Sequence, residues 1–442
     1  VVLQFAGGDG LLRGMRASAA IPLLAGTFLF SGCFDLPKSS PAVDTPCDGG
    51  ICAVPHGFGT PCQSAADCLS SICLPDGTGT NRCSAQCRNA TECPNGWACN
   101  SGACECGGAL CENICLDLTT DPSNCGACGR VCSADPTTTP FCTEGTCAEE
   151  LTAPPNSLVT GLTAGAGEVV WTDSTSLFVL GETGGVLYSP ASGGSGPIID
   201  LVVEGSELFW GTSGQLSFAR ISGVALPSGM TDISLGAQQV GQTGLTFMIA
   251  DSTNVYWIDQ NVRSPGLFQT TLTGGAIVSL ATSPEQATGL TVQGQRVYWS
   301  LQQSGKVLSV PIGGGQPSSL LGTGPSDAVR MTSDARNIYL LDGTSTSIVA
   351  ISIQGGTATT IVSSTTEISD VTSDGTNLYW SEPTAGILMR APITGGIGTV
   401  IASGQASPLF LAVDGDFLYW ANEGGGIQNG SNGTSINRIP RE

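Results

Sequence analysis

Histidine is almost missing from this 442-residue chain: His56 is the only one, so nothing after it can supply a histidine base or a histidine metal ligand. Positive charge is scarce as well. Lys and Arg number 15 against 36 Asp and Glu, a formal net charge of −21, and no basic stripe interrupts the acidity, which argues against a nucleic-acid partner. The longest largely apolar run, Ala17 to Phe30, has 14 residues and is too short to cross a bilayer comfortably. There is no sustained 3.6-residue apolar stripe, so helical repeats are set aside. Nucleophile-elbow, Walker-type and zinc-protease motifs are also missing. Cysteine is absent from everything after Cys147, although 19 cysteines precede that point.

What the cysteine-free part does contain is a repeat. An apolar residue, a second apolar or aromatic residue and a Trp recur as Val169-Val170-Trp171, Leu208-Phe209-Trp210, Val255-Tyr256-Trp257, Val297-Tyr298-Trp299, Ile338-Tyr339-Leu340, Leu378-Tyr379-Trp380 and Leu418-Tyr419-Trp420. The steps are 39, 47, 42, 41, 40 and 40 residues, with Leu340 standing in for one Trp. Gly pairs follow at Gly274-Gly275, Gly313-Gly314, Gly355-Gly356 and Gly395-Gly396, and short β-prone runs lie between these landmarks. Four short strands per unit are predicted. The aromatic strand is apolar on both sides, which suits sheets stacked around an axis with both faces buried. The expected fold is therefore all-β: a β-propeller of seven four-stranded blades over residues 148–442, preceded by small disulfide-rich modules. The repeated Trp residues are expected to be core. The last unit ends without a fourth strand, so Glu149 to Ala153 is expected to supply it and cover the open edge.

These phrases resemble the YWTD-type propellers of lipoprotein-receptor ectodomains. Val169-Val170-Trp171-Thr172-Asp173 nearly spells the motif, and Tyr256-Trp257-Ile258-Asp259 and Tyr379-Trp380-Ser381-Glu382 are close variants. That family has six blades, so a count of six stays open beside seven. The resemblance implies the fold and transfers no ligand.

The region before the repeat divides by composition. Arg13 and Arg16 lead into the apolar run, and residues 1–32 read as a signal peptide, with Met15 an alternative start. Leu29-Phe30-Ser31-Gly32-Cys33 resembles a bacterial lipobox, which implies cleavage after Gly32 and lipid attachment at Cys33. Residues 33–46 read as a tether. The other 18 cysteines are Cys47, Cys52, Cys62, Cys68, Cys73, Cys83, Cys87, Cys93, Cys99, Cys104, Cys106, Cys111, Cys115, Cys125, Cys128, Cys132, Cys142 and Cys147. In an exported chain an even, dense set reads as a disulfide scaffold, here of nine bridges. Zinc is the rival, because Cys125-Gly126-Ala127-Cys128 has ligand spacing. Residues 47–106 have the look of EGF-like modules. Residues 107–147, with Asn124-Cys125-Gly126-Ala127-Cys128-Gly129, resemble the stigma-specific cysteine-rich family.

The expected function is a cell-envelope lipoprotein, anchored by lipid alone and facing the periplasm or the exterior, that displays a propeller to bind a protein or carbohydrate. An enzyme of the lyase or hydrolase kind, acting on a glycan or small molecule, is the first alternative, and a structural envelope protein the second; no catalytic motif is found. The candidate ligand face is the one reached by the second-to-third-strand loops and the interblade loops. These carry Asp173, Asp259, Asp342 and Glu382, and Glu285, Asp327 and Glu367. No cofactor is called for; calcium is the metal that would suit such carboxylates, and a basic surface the matching partner.

Overall fold

Each aromatic phrase is the second strand of a sheet. In the computed structural model of the chain the described residues are 46–47, 50–51 and, from 60 to 441, all but a set of short segments, the longest being 189–197, 221–232, 235–244 and 425–433. The chain divides into two units, Val1–Val54 and Pro55–Glu442. In the first, Pro46–Cys47 pairs with Gly50–Ile51. The expectations for residues 1–45, Cys33 among them, and for Cys52 lie outside the described residues, as does the Cys47 side chain.

Six antiparallel sheets have four strands each, in simple up-and-down order, and one has five. Counted from their innermost strands at Gly161–Gly165, Ile198–Glu204, Leu245–Ala250, Ala287–Gln293, Val329–Ser333, Asp370–Ser373 and Pro408–Val413, these are blades 1 to 7. The innermost strand of each blade lies against that of the next, and blade 7 returns to blade 1. The ring of seven is written into the core. Tyr256 of blade 3 packs in one cluster with Trp299 of blade 4, Tyr298 with Leu340, Tyr339 with Trp380 and Tyr379 with Trp420. Tyr419 with Trp171 closes the circuit, and Val170 with Trp210 and Phe209 with Trp257 complete it. The repeated phrase thus works as a hinge of side chains: its middle residue faces the next blade and its Trp faces the previous one. Both are buried, because a radial sheet has a neighbour on each face.

Blade 7 takes its outer strands from the cysteine-rich region. Ser435–Pro440 pairs with Thr146–Thr152 through Glu149↔Arg438, Glu150↔Asn437 and Thr152↔Ile436, and Thr146–Thr152 pairs in turn with Thr139–Thr143. The expected closure by Glu149 and its neighbours is therefore present, with a fifth strand added outside it. Arg438 donates from Nε (3.0 Å) and Nη2 (2.8 Å) to Glu149 Oε2, and its guanidinium lies 4.4 Å from the Phe417 ring centre. Phe141 of the fifth strand meets Trp420 edge-on at 6.2 Å. The boundary drawn between residues 147 and 148 falls inside this closing strand.

Eight bridges pair all sixteen cysteines from Cys62 onward. The first four repeat one plan: Cys62–Cys73 with Cys68–Cys83, then Cys87–Cys99 with Cys93–Cys104. Each unit opens on a short 3₁₀ turn, Ala65–Asp67 or Ala90–Glu92, whose acid accepts the backbone N–H four residues earlier at 2.8 Å. The signature is Cys-X-Ser/Asn-Ala-X-Asp/Glu-Cys at 62–68 and 87–93, a tandem repeat that a label of EGF-like modules passes over. Cys106–Cys115 spans the boundary placed after residue 106, and Cys111–Cys128, Cys125–Cys142 and Cys132–Cys147 interlock. Cys125 and Cys128, at zinc-ligand spacing, belong to two different bridges and have no thiolate to offer a metal.

One register in the repeat is corrected. In the turn after Pro311 the left-handed glycines are Gly314 (φ +84°) and Gly315 (φ +137°), matching Gly395 (φ +82°) and Gly396 (φ +139°) after Pro392. The equivalent pair is therefore one residue beyond Gly313-Gly314.

Candidate functional site

The innermost strands line the axis, and one register position recurs in each of them. This is the residue before the one that pairs with the Trp position: Gly161, Asp200, Phe247, Gly289, Arg330, Asp370 and Phe410 in blades 1 to 7. The ladder is irregular beside it in five blades, where the registers Ile198/Asp200, Leu245/Phe247, Ala287/Gly289, Val329/Met331 and Pro408/Phe410 each skip a residue. Bulges of this kind re-aim side chains and gather beside functional sites. In blade 5 the extra residue is Arg330 itself, held at φ +52°.

An innermost strand leaves one row of backbone N–H groups unpaired toward the axis. Two ring residues answer this. Asp200 Oδ2 accepts from Met248 N of the next blade at 2.7 Å and Oδ1 from Leu201 N at 2.9 Å. Asp370 repeats the arrangement with Leu411 N and Val371 N, both at 2.9 Å. Arg330 places Nε 3.8 Å from Asp370 Oδ1 and its guanidinium 5.6 Å from the centre of the Phe410 ring. Its side chain is 41% exposed against 14% for Asp370.

Burial pushes the Asp200 carboxyl up to about 6, the Asp370 charge adding to the rise while two backbone hydrogen bonds and the Arg330 charge oppose it. Burial raises Asp370 too, against Arg330 and its own backbone donors. The folded chain thus holds the Asp200 proton more tightly than the unfolded chain, whose carboxyl titrates near 3.8, and stability falls as pH rises from there to about 6. Asp251 and Asp374 have the opposite sign. Burial acts upward on both, but hydrogen bonds outweigh it and hold them below the usual range, so their contribution is lost as pH falls through their folded values. Thermal melts across acid to neutral pH are expected to peak near pH 4 and to decline from there toward about 6. Asp200→Asn should flatten the decline on the neutral side; a decline unchanged in that variant would refute the assignment.

The acids predicted for the ligand face do not gather at one point among the described residues. Asp173 Oδ1 accepts from Ser176 N at 2.8 Å, and Asp342 accepts from Thr346 N, Ser347 N and the Thr344 hydroxyl, so both tie their own loops. Glu382 is buried and accepts from Trp380 Nε1 at 2.9 Å and from the Thr366 hydroxyl; Gln405 does the same for Trp420 at 2.8 Å. Glu367 is exposed, and Asp327 lies outside the described residues. Asp259 and Glu285 do come together, lining a pocket of about 230 Å³ between blades 3 and 4 with Gln260 and Ser283. Among the described residues no three carboxylates approach one another closely enough to share a cation.

Sequence reasoning missed Asp200, Arg330 and Asp370. The signal that finds them is the charged residue at one fixed offset in an otherwise apolar first strand, as in Ile199-Asp200-Leu201 and Ser369-Asp370-Val371. The opposite end was also under-read. The aspartate turns at this end, Asp374-Gly375 and Asp414-Gly415 among them, do more than turn the chain: Asp251, Asp334, Asp374 and Asp414 each accept the hydroxyl of the Tyr five residues on, at 2.7 to 3.1 Å, while the other carboxylate oxygen takes backbone N–H groups of the turn. Burial and the neighbouring carboxylate push Tyr339 up to about 12.

No protein family matches the chain by sequence, and no curated protein does. Solved structures match its fold. Virginiamycin B lyase from Staphylococcus aureus is similar at a TM-score of 0.52 and 14% identity, covering 67% of this chain and 99% of that one. A catalytically inactive variant of the same lyase, with quinupristin, gives 0.51 over the same shares at 14% identity. The nidogen–laminin complex gives 0.35 at 18% identity, covering 47% of this chain and 86% of that one. At such identities the likeness to the lyase bears on the fold alone.

Proposed function

We propose that this is a lipid-anchored protein of the cell envelope whose propeller binds a ligand at the axial mouth. The observation that carries the reading is Arg330: no hydrogen-bond acceptor engages its guanidinium among the described residues, and it stands over Phe410 and beside Asp370, near enough to Asp200 for its charge to act on that carboxyl. A charged group without a hydrogen-bonding partner beside an aromatic face is a usual element of a binding site. The anchor rests on the lipobox-like Leu29 to Cys33, and the bridged modules serve as a stalk. No helix among the described residues is long and apolar enough to cross a membrane.

The test uses the full chain. Cys33→Ser should move the protein out of the membrane fraction, and retention there would refute the anchor. Capture of envelope or extracellular material by the wild-type chain should fall at least tenfold in an Arg330→Gln, Asp200→Asn double variant. Equal capture would remove the axial mouth as the site.

A second reading is an enzyme acting on a glycan or a small molecule. Asp200 favours it, since a carboxyl that titrates near 6 can serve as an acid or a base around neutrality. Turnover lost in Asp200→Asn with binding retained would support this reading over the first.

A further inference from the structure

The chemistry of the axial ring narrows the ligand class, on the premise that the axial mouth is the binding site. Arg330 has five N–H donors, and its ion-pair partner, Asp370 Oδ1, is 3.8 Å from Nε, beyond hydrogen-bond range. Because the guanidinium leans on the Phe410 face, its forked donor edge is left for a planar anion such as a carboxylate. Asp200 and Asp370 are fixed by two backbone N–H bonds apiece, which use about two of the four lone-pair positions of each carboxylate. Arg330 neutralises one of them. The ring then keeps one uncompensated negative charge, with Asp200 the carboxylate that has no cation within ion-pair distance among the described residues. Phe247 and Phe410, both half-buried, hold the same register position in blades 3 and 7.

Neither a plain anion nor a plain cation fits this arrangement. The anion would meet two carboxylates, and the cation would meet Arg330. We infer that the axial mouth receives a compact zwitterion, its carboxylate on the Arg330 guanidinium and its ammonium on Asp200, with an apolar substituent against Phe247 and Phe410. The chemical class is that of an α-amino acid or the joined termini of a very short peptide.

Calorimetry on the full chain can separate the two charges, with phenylalanine as the zwitterion, 2-phenylethylamine as the cation and 3-phenylpropionate as the anion. Phenylalanine should bind, and each singly charged analogue should bind roughly tenfold or more weakly, as expected for loss of a charge-assisted hydrogen-bonded contact. Arg330→Gln should weaken phenylalanine by a similar factor and leave 2-phenylethylamine unchanged or tighter. Asp200→Asn should do the reverse, weakening phenylalanine while 3-phenylpropionate gains. Melting curves check that each variant is folded; Arg330→Lys, which keeps charge without the fork, should be intermediate and serves if Arg330→Gln is unstable. Equal affinity for the three probes, or no binding by any, overturns the inference. If none binds while the chain still captures a partner in an Arg330-dependent way, the zwitterion falls and the axial binding site stands.

Discussion

A chain that begins at residue 148 is expected to lose cooperative folding, whereas one that begins at residue 106 is expected to melt like the full protein. The shorter cut removes Phe141, which meets Trp420, and the strand Thr139–Thr143 that covers the outside of blade 7. It also splits Thr146–Thr152, leaving Glu149 at a frayed end and the Cys132–Cys147 bridge gone. Deleting one buried Phe side chain alone costs about 3–5 kcal/mol. The hairpin adds a ladder of hydrogen bonds and the Arg438–Glu149 pair, and whole-domain stability is only about 5–15 kcal/mol. The longer chain keeps every one of these contacts and all four bridges from Cys106 onward. Thermal melts followed by near-ultraviolet circular dichroism decide the matter. A sharp transition in the chain beginning at 148 would mean that the ring closes without its cysteine-rich edge.

Asp374→Ala should be the most damaging single change at the turn end, at about 3–5 kcal/mol. Its carboxylate accepts from Tyr379 at 2.9 Å and from the N–H groups of Thr376 and Asn377, and it pairs with Arg441 at 3.3 Å. With a side chain 9% exposed, little water is on hand to replace it, and four donors lose their partner together. Tyr379→Phe, which deletes one donor and leaves Asp374 its other partners, should cost only about 1 kcal/mol. Urea titrations of both variants give the comparison; near-equal midpoints would show that the carboxylate is not the centre of the cluster.

How far the chain could be read follows from where information sits in it. Trp380 and Tyr379 recur with their neighbours at a fixed period, so blade number and core were visible. The edge strand at Glu149 was visible because blade 7 lacked one and the same landmark order recurs before Leu158. Position in a loop did not reveal what a carboxylate does there: Glu382 looked like a free loop acid and is the acceptor for Trp380. Asp200, Arg330 and Asp370 come from strands 30 or more residues apart, and only closing the ring puts them around one axis. A period tells which residues are equivalent, whereas a site built from non-equivalent residues at equivalent positions is an exception to the period.

Glu149 and Arg438 are 289 residues apart along the chain, almost the whole propeller. The edge that completes blade 7 is therefore synthesised before any blade and used after all of them. Until residues 435–440 arrive, the edge of Thr146–Thr152 that receives them has no mate, and the six preceding blades form an arc with two raw ends. Contacts of such separation are entropically slow to form. The interlocked bridges Cys125–Cys142 and Cys132–Cys147 bear on that delay by holding the first-made hairpin in its final shape, so the last strand meets a rigid template rather than a loose segment. A chain kept reduced would hold this hairpin by its backbone ladder alone, and its ring is expected to close more slowly than that of the bridged chain.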